Sequence, residues 1–192
     1  MKFIAVLLIG LLVIAGCEET KSDKNAKTGE TMITNPVVVL ETSMGNIEIQ
    51  LRPDKAPKHC ENFIKLVSDT FYNGLTFHRV IPGFVIQGGD PQGTGAGGPG
   101  YNVPAEITDL KHTIGAVAAA RKGDQVNPKR ESSGSQFYIA LGNLTNLDGA
   151  YTVFGYVTAG MDVAQKIAAV QRDPGDKPLT PVVINKAYIK TK

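Results

Sequence analysis

From Val37 onward, short apolar runs alternate with polar residues and turn residues. Val37 to Leu40, then Ile47, Ile49 and Leu51, interleave with Glu48 and Gln50 on either side of Ser43-Met44-Gly45-Asn46, the pattern of a half-buried hairpin. Ala56-Pro57 then opens a stretch in which Cys60, Phe63, Ile64 and Val67 recur at i, i+3, i+4 and i+7. This spacing predicts an amphipathic helix with proline in its first turn. Strands are predicted at Thr76 to Val80, Phe84 to Gln87, Thr113 to Ala120, Gln136 to Leu141, Thr152 to Val157 and Val182 to Ile189. A second helix fits Met161 to Val170, where Val163, Ile167 and Val170 share a face. Many short strands with two helices and no internal repeat argue for a mainly β, antiparallel sheet or barrel rather than alternating βαβ units.

The amino-terminal residues follow a different pattern. Lys2 precedes Phe3 to Ala15, a run broken only by Gly10. It has the length of a signal-peptide core and falls short of the ~20 residues of a bilayer-spanning helix. It ends in Ile14-Ala15-Gly16-Cys17, which resembles the lipobox of bacterial lipoproteins, although leucine is commoner where Ile14 stands. The resemblance implies cleavage before Cys17 and a lipid on its thiol. Glu18 to Asn35 is almost devoid of apolar residues and cannot bury enough surface to offset its ordering entropy. Residues 1–16 are therefore expected to be a lipoprotein signal peptide, 17–35 the lipidated cysteine and a polar tether, and 36–192 the folded domain. A bacterial-envelope protein held on a membrane through its lipid is the expectation.

Composition narrows this further. The chain has 192 residues, 42% hydrophobic and 20% charged, which suits one soluble domain plus an extension. A net charge of +2 from 20 basic and 18 acidic residues gives no concentrated basic face, so no nucleic-acid partner is expected. Cys17 and Cys60 stand in such different contexts that no disulfide is expected, and Cys60 is read as a small hydrophobe facing the core.

The most informative stretch is Phe77-His78-Arg79-Val80-Ile81-Pro82-Gly83-Phe84-Val85-Ile86-Gln87-Gly88-Gly89-Asp90. Ser133-Gly134-Ser135-Gln136-Phe137-Tyr138-Ile139 follows, and then Leu147-Asp148-Gly149 through Val153-Phe154-Gly155. In order and in content, these blocks resemble the cyclophilin family of peptidyl-prolyl cis/trans isomerases. The resemblance runs from Pro36 to the carboxyl end. It implies a closed eight-stranded antiparallel barrel capped by two helices, an isomerase acting on proline-containing polypeptides, and no cofactor or metal; a monomer is expected, and a non-catalytic proline-peptide binding module or an envelope chaperone is the alternative reading.

The chemistry it implies can be argued from residue types. An X-Pro bond resists rotation because nitrogen shares its lone pair with the carbonyl. In the twisted transition state that lone pair returns to nitrogen, so a fixed guanidinium aimed at it binds this state more tightly than either planar form. Arg79 is the candidate, with Phe84 and Gln87 completing the catalytic set. By resemblance the proline ring sits among Phe84, Val85, Tyr138 and Leu147, and Gln87 contacts a substrate carbonyl. Ala120 and Arg121 offer backbone to the peptide, Gln136 and Tyr151 line the groove, and Ile81 and Gly93 border it. Val85, Tyr138 and Tyr151 replace the methionine, phenylalanine and histidine of many relatives. Asn146 stands where cyclosporin-sensitive relatives carry tryptophan, which implies poor inhibition by that drug.

Other features carry less. Gly93-Thr94-Gly95-Ala96-Gly97-Gly98 is a literal GxGxxG, but Pro99, Gly100 and Pro104 follow it where a dinucleotide site needs a helix. His78 and His112 are expected to be satisfied structural histidines, and His59 to be solvated on the outer helix face. Lys122 to Glu131 forms a charged loop longer than in the shortest relatives and bordering the groove.

Overall fold

The structure, a computed structural model, describes residues Asn35–Thr191. The expected signal peptide, Cys17 and the tether before Asn35 lie outside the described residues. The predicted hairpin forms as β1 (Val37–Thr42) and β2 (Gly45–Leu51), with Val37 opposite Gln50 and Thr42 opposite Gly45. The turn is fastened by the Thr42 hydroxyl, which donates to the Gly45 carbonyl at 2.6 Å and accepts from the Met44 N–H at 3.1 Å. The sheet continues with β3 (Arg79–Ile81), β4 (Val85–Gly88), β6 (Ala116–Ala119), β8 (Phe137–Ala140), β9 (Val153–Ala159) and β10 (Ile184–Ile189). Two short strands that the hydrophobic pattern did not predict, β5 (Asn102–Val103) and β7 (Ser132–Ser133), pair with each other apart from the main sheet.

The eight long-sheet strands run in the order β10-β1-β2-β9-β6-β8-β4-β3, every neighbouring pair antiparallel. This is the expected mainly β, cyclophilin-like architecture, with closure only approximate. The edge strands β3 and β10 share no ladder. Instead the segments leading into them meet at one antiparallel bridge, Thr76 to Val183, supported by the Phe77 N–H donating to the Val182 carbonyl at 3.0 Å. For this reason the strands predicted to begin at Thr76 and Val182 begin later, at Arg79 and Ile184.

The two-residue period of a strand divides the sheet into an inner and an outer face. Val80, Ile86, Val117, Ala119, Phe137 and Ile139 point inward with Leu40, Ile47, Ile49 and Leu51 to make the core. Val85, Ala116, Ala118, Tyr138, Ala140 and Val153 point outward and form a second apolar cluster. Helix α1 (Pro57–Ser68) packs on β10 and β9, and α2 (Met161–Ala168) on β2, β4 and β3. Cys60 is buried, its thiol 3.3 Å from the Phe154 carbonyl, and burial pushes its pKa up to about 12, so it is an inert core residue. Val170 lies beyond the end of α2, half-buried against the core.

One helical reading is corrected. The buried stripe of α1 is His59, Cys60, Phe63, Leu66 and Val67, so His59 faces protein rather than water and Ile64 is only half-buried. A segment distant in sequence causes this. Glu106 accepts the Lys58 and His59 backbone N–H groups at 3.0 and 2.9 Å, capping the helix where Ala56 has no side-chain acceptor, and also takes the His59 ring Nδ1 at 2.6 Å. The other ring nitrogen, Nε2, meets the Ser132 hydroxyl at 2.9 Å.

Candidate active site

Register assembles the site. Arg79 on β3 lies opposite Gln87 on β4, Gln87 opposite Tyr138 on β8, and Tyr138 opposite Ala118 on β6. Four strands thus contribute one row of side chains on the outer face. A second row runs beside it through Ile81, Val85 and Ala140. The outer apolar cluster gathers Val85, Ala120 and Tyr138, with Phe84, Leu147 and Tyr151 packed against it, so Phe84, Val85, Tyr138 and Leu147 lie together. Leu147 reaches the cluster from a single 3-10 turn, Thr145–Leu147.

Arg79 is half-buried at the edge of this cluster, its guanidinium carbon 5.8 Å from the Phe84 ring centroid. Among the described residues it has no salt-bridge or hydrogen-bond partner, so its donors remain available. Arg121 differs. Its guanidinium lies 4.4 Å over the Tyr151 ring, donates to the Ala150 and Lys122 carbonyls at 2.9 Å each, and pairs with Asp124 at 2.6 Å. Asp124 also holds Arg130 at 2.8 Å, bracing the charged loop, while Lys122 and Lys129 stay exposed.

Behind the pocket lies a polar relay. Asp148 accepts the His112 backbone N–H at 2.9 Å and its ring Nδ1 at 3.0 Å, and His112 Nε2 meets the Tyr138 hydroxyl at 3.0 Å. A carboxylate can only accept, so Nδ1 carries the proton and Nε2 accepts from the tyrosine. Burial lowers the His112 pKa against the pull of Asp148, and burial raises that of Tyr138. His112 is the satisfied histidine expected. His78 is not, since it is buried but neither ring nitrogen has a partner among the described residues.

Beside the apolar cluster runs a groove of about 570 Å³ lined by Gln87, Ala120, Arg121, Gln136 and Gly95 to Gly98, with Tyr101 and Val126 on its walls. Gly93 lies outside it, in a separate pocket of about 250 Å³ with Thr76, Asp90 and Lys177. The sequence pattern did not single out Tyr101, Val126 or the Asp148–His112 pair. Gln87, Ala120, Arg121 and Gln136 are the groove residues that the family resemblance implied, while for Tyr101 and Val126 only the neighbouring glycine-rich turn and the long loop gave a hint.

An apolar pocket at the end of a peptide-sized groove, with free guanidinium donors and side-chain amides at its edge, defines a site for non-covalent work on polypeptide segments. Residues 37–189 match the family described as Cyclophilin type peptidyl-prolyl cis-trans isomerase/CLD. The chain is 44% identical over 155 residues to peptidyl-prolyl cis-trans isomerase ppi1 of Schizosaccharomyces pombe, covering 78% of this chain and 96% of that one. It is also 44% identical over 149 residues to a peptidyl-prolyl cis-trans isomerase of Synechococcus elongatus, with 78% and 97% covered. Among solved structures, a cyclophilin type peptidyl-prolyl cis-trans isomerase of Cryptosporidium parvum superposes with a TM-score of 0.77 at 33% identity, covering 82% of this chain and 98% of that one. The same protein in the presence of the dipeptide Ala-Pro gives a TM-score of 0.76. The chain belongs to the cyclophilin-type peptidyl-prolyl isomerase family, and it is a peptidyl-prolyl cis-trans isomerase.

Proposed function

We propose that this isomerase acts on exported or envelope polypeptides, using Arg79 to bind the twisted X-Pro amide while a lipid on Cys17 holds it at a bacterial membrane. The observation that carries the mechanism is the position of Arg79. A guanidinium with unspent donors stands in register with Gln87 at the edge of an apolar cluster that includes Phe84, Val85 and Tyr138. The proline ring occupies that cluster, and the regained nitrogen lone pair meets Arg79 in a partly dry environment, where a charged donor is worth more than in water. Shortening exchange from tens of seconds to milliseconds takes about four decades, or ~5.5 kcal/mol, supplied by this donor and by pocket binding together. Gln87 holds a substrate carbonyl, and the groove takes the residues before proline. No covalent bond is made or broken, so no nucleophile enters.

The domain works as a monomer on proline-containing polypeptides. The test is a protease-coupled assay on a proline peptide. Arg79→Ala should lower kcat/KM by about two to three decades with the fold intact, and near-normal turnover in the variant would refute the mechanism.

A further inference from the structure

The glycine-rich segment that follows Asp90 is an anion nest occupied by the protein's own carboxylate. Asp90 is 1% exposed. Its Oδ1 accepts the Gln92 N–H at 2.8 Å, and its Oδ2 accepts those of Thr94, Gly95 and Gly97 at 3.0, 2.6 and 3.1 Å. Burial disfavours the charge, but these backbone donors outweigh it and hold the carboxyl below its ordinary range. The motif that elsewhere cradles a phosphate is here wound around Asp90. Only glycine suits two of its positions, since Gly95 has φ +84° and a Cβ on Gly97 would overlap the Asp90 carboxylate.

Winding the segment this way aims two carbonyls at Gln136. Its Nε2 donates to the Gly95 carbonyl at 3.1 Å and the Gly97 carbonyl at 2.8 Å. Carbonyls only accept, so the nitrogen of this amide must face them and its oxygen must face away. That oxygen accepts from Gln87 Nε2 at 2.9 Å. One orientation of Gln87, which lines the groove, is thereby selected, and among the described residues its Oε1 has no side-chain partner.

We propose that Asp90 is a positioning residue for the isomerase site, acting through the glycine-rich segment and Gln136 to fix the amide of Gln87. This rests on the reading that Gln87 touches substrate. Without the carboxylate, the segment has no centre to wind around, its two carbonyls scatter, and both glutamine amides become free to rotate.

A double-mutant cycle on kcat/KM tests the relay. Asp90→Asn presents an amide N–H2 to nitrogens that need an acceptor, and should lower kcat/KM by about threefold to thirtyfold, within the range of coupling in one hydrogen-bond network. In a Gln87→Ala background the same change should cost less than twofold. In the amide NMR spectrum, the Gln136 side-chain N–H2, protected in the wild type, should exchange at solvent-like rates in the variant. If Asp90→Asn does not fold, Gly97→Ala perturbs the same nest from the opposite side and should give the same cycle. Equal losses in the two backgrounds, or an unchanged kcat/KM in Asp90→Asn, would overturn the relay. If Gln87→Ala itself leaves kcat/KM untouched, it is the role of Gln87 at the substrate that fails.

Discussion

Tyr138→Phe separates stability from activity in a way that few substitutions in this site can. It removes one hydroxyl and keeps the ring that walls the pocket. The hydroxyl is the donor to His112 Nε2 at 3.0 Å, and the His112 side chain is 0% exposed. His112 cannot compensate by moving its proton, because Nδ1 is committed to Asp148 at 3.0 Å. The variant therefore strands a buried acceptor, at a cost of about 1–3 kcal/mol. For a domain of this size 1 kcal/mol corresponds to about 2–4 °C, so the melting temperature should fall by about 2–12 °C. Turnover should stay within about threefold of wild type, since the apolar wall and the Arg79–Gln87 pair are unchanged. Thermal melts by circular dichroism, paired with the protease-coupled assay, read both quantities. Adding His112→Leu removes the stranded acceptor, so the double variant should cost less than the two single losses added. A melting temperature within 1 °C of wild type for Tyr138→Phe would refute the hydrogen-bond chain from Tyr138 through His112 to Asp148.

Further tests concern pH, the drug site and the anchor. Burial lowers the pKa of His59, His78 and His112 below their ordinary 6.5, so the unfolded chain binds protons that the fold does not. Stability should thus be flat between about pH 7 and 8 and decline as pH falls below 6.5, by at most about 1.4 kcal/mol per unit for each histidine still neutral in the fold; a urea midpoint that is level from pH 7.5 to 5.5 would contradict this. Cyclosporin should inhibit poorly, because Asn146, exposed on the 3-10 turn, offers no indole surface, and a tight inhibition curve for the wild type would count against it. Metabolic labelling with a fatty-acid analogue should mark the wild-type protein but not Cys17→Ser, and an unlabelled wild type in the soluble fraction would remove the membrane assignment.

Much of this protein is written locally. Period-two alternation along β2 marks its hairpin with β1, because side-chain direction in a strand depends on nothing beyond its neighbours. The blocks around Arg79, Gln136 and Leu147 name the family for the same reason, each being a continuous run of residues. What needed the tertiary structure was every pairing between runs. The row from Arg79 through Gln87 and Tyr138 to Ala118 depends on strand register, which no single segment specifies. His59 looked like a surface residue because its partners, Glu106 and Ser132, lie 47 and 73 residues away. The glycine-rich turn matched GxGxxG without the helix a dinucleotide site needs, and only the fold showed that its backbone N–H groups hold Asp90. Barrel closure through one bridge rather than a ladder was equally hidden, since the residues that meet there, Thr76 and Val183, are 107 positions apart in the chain and come together only when the sheet has curled.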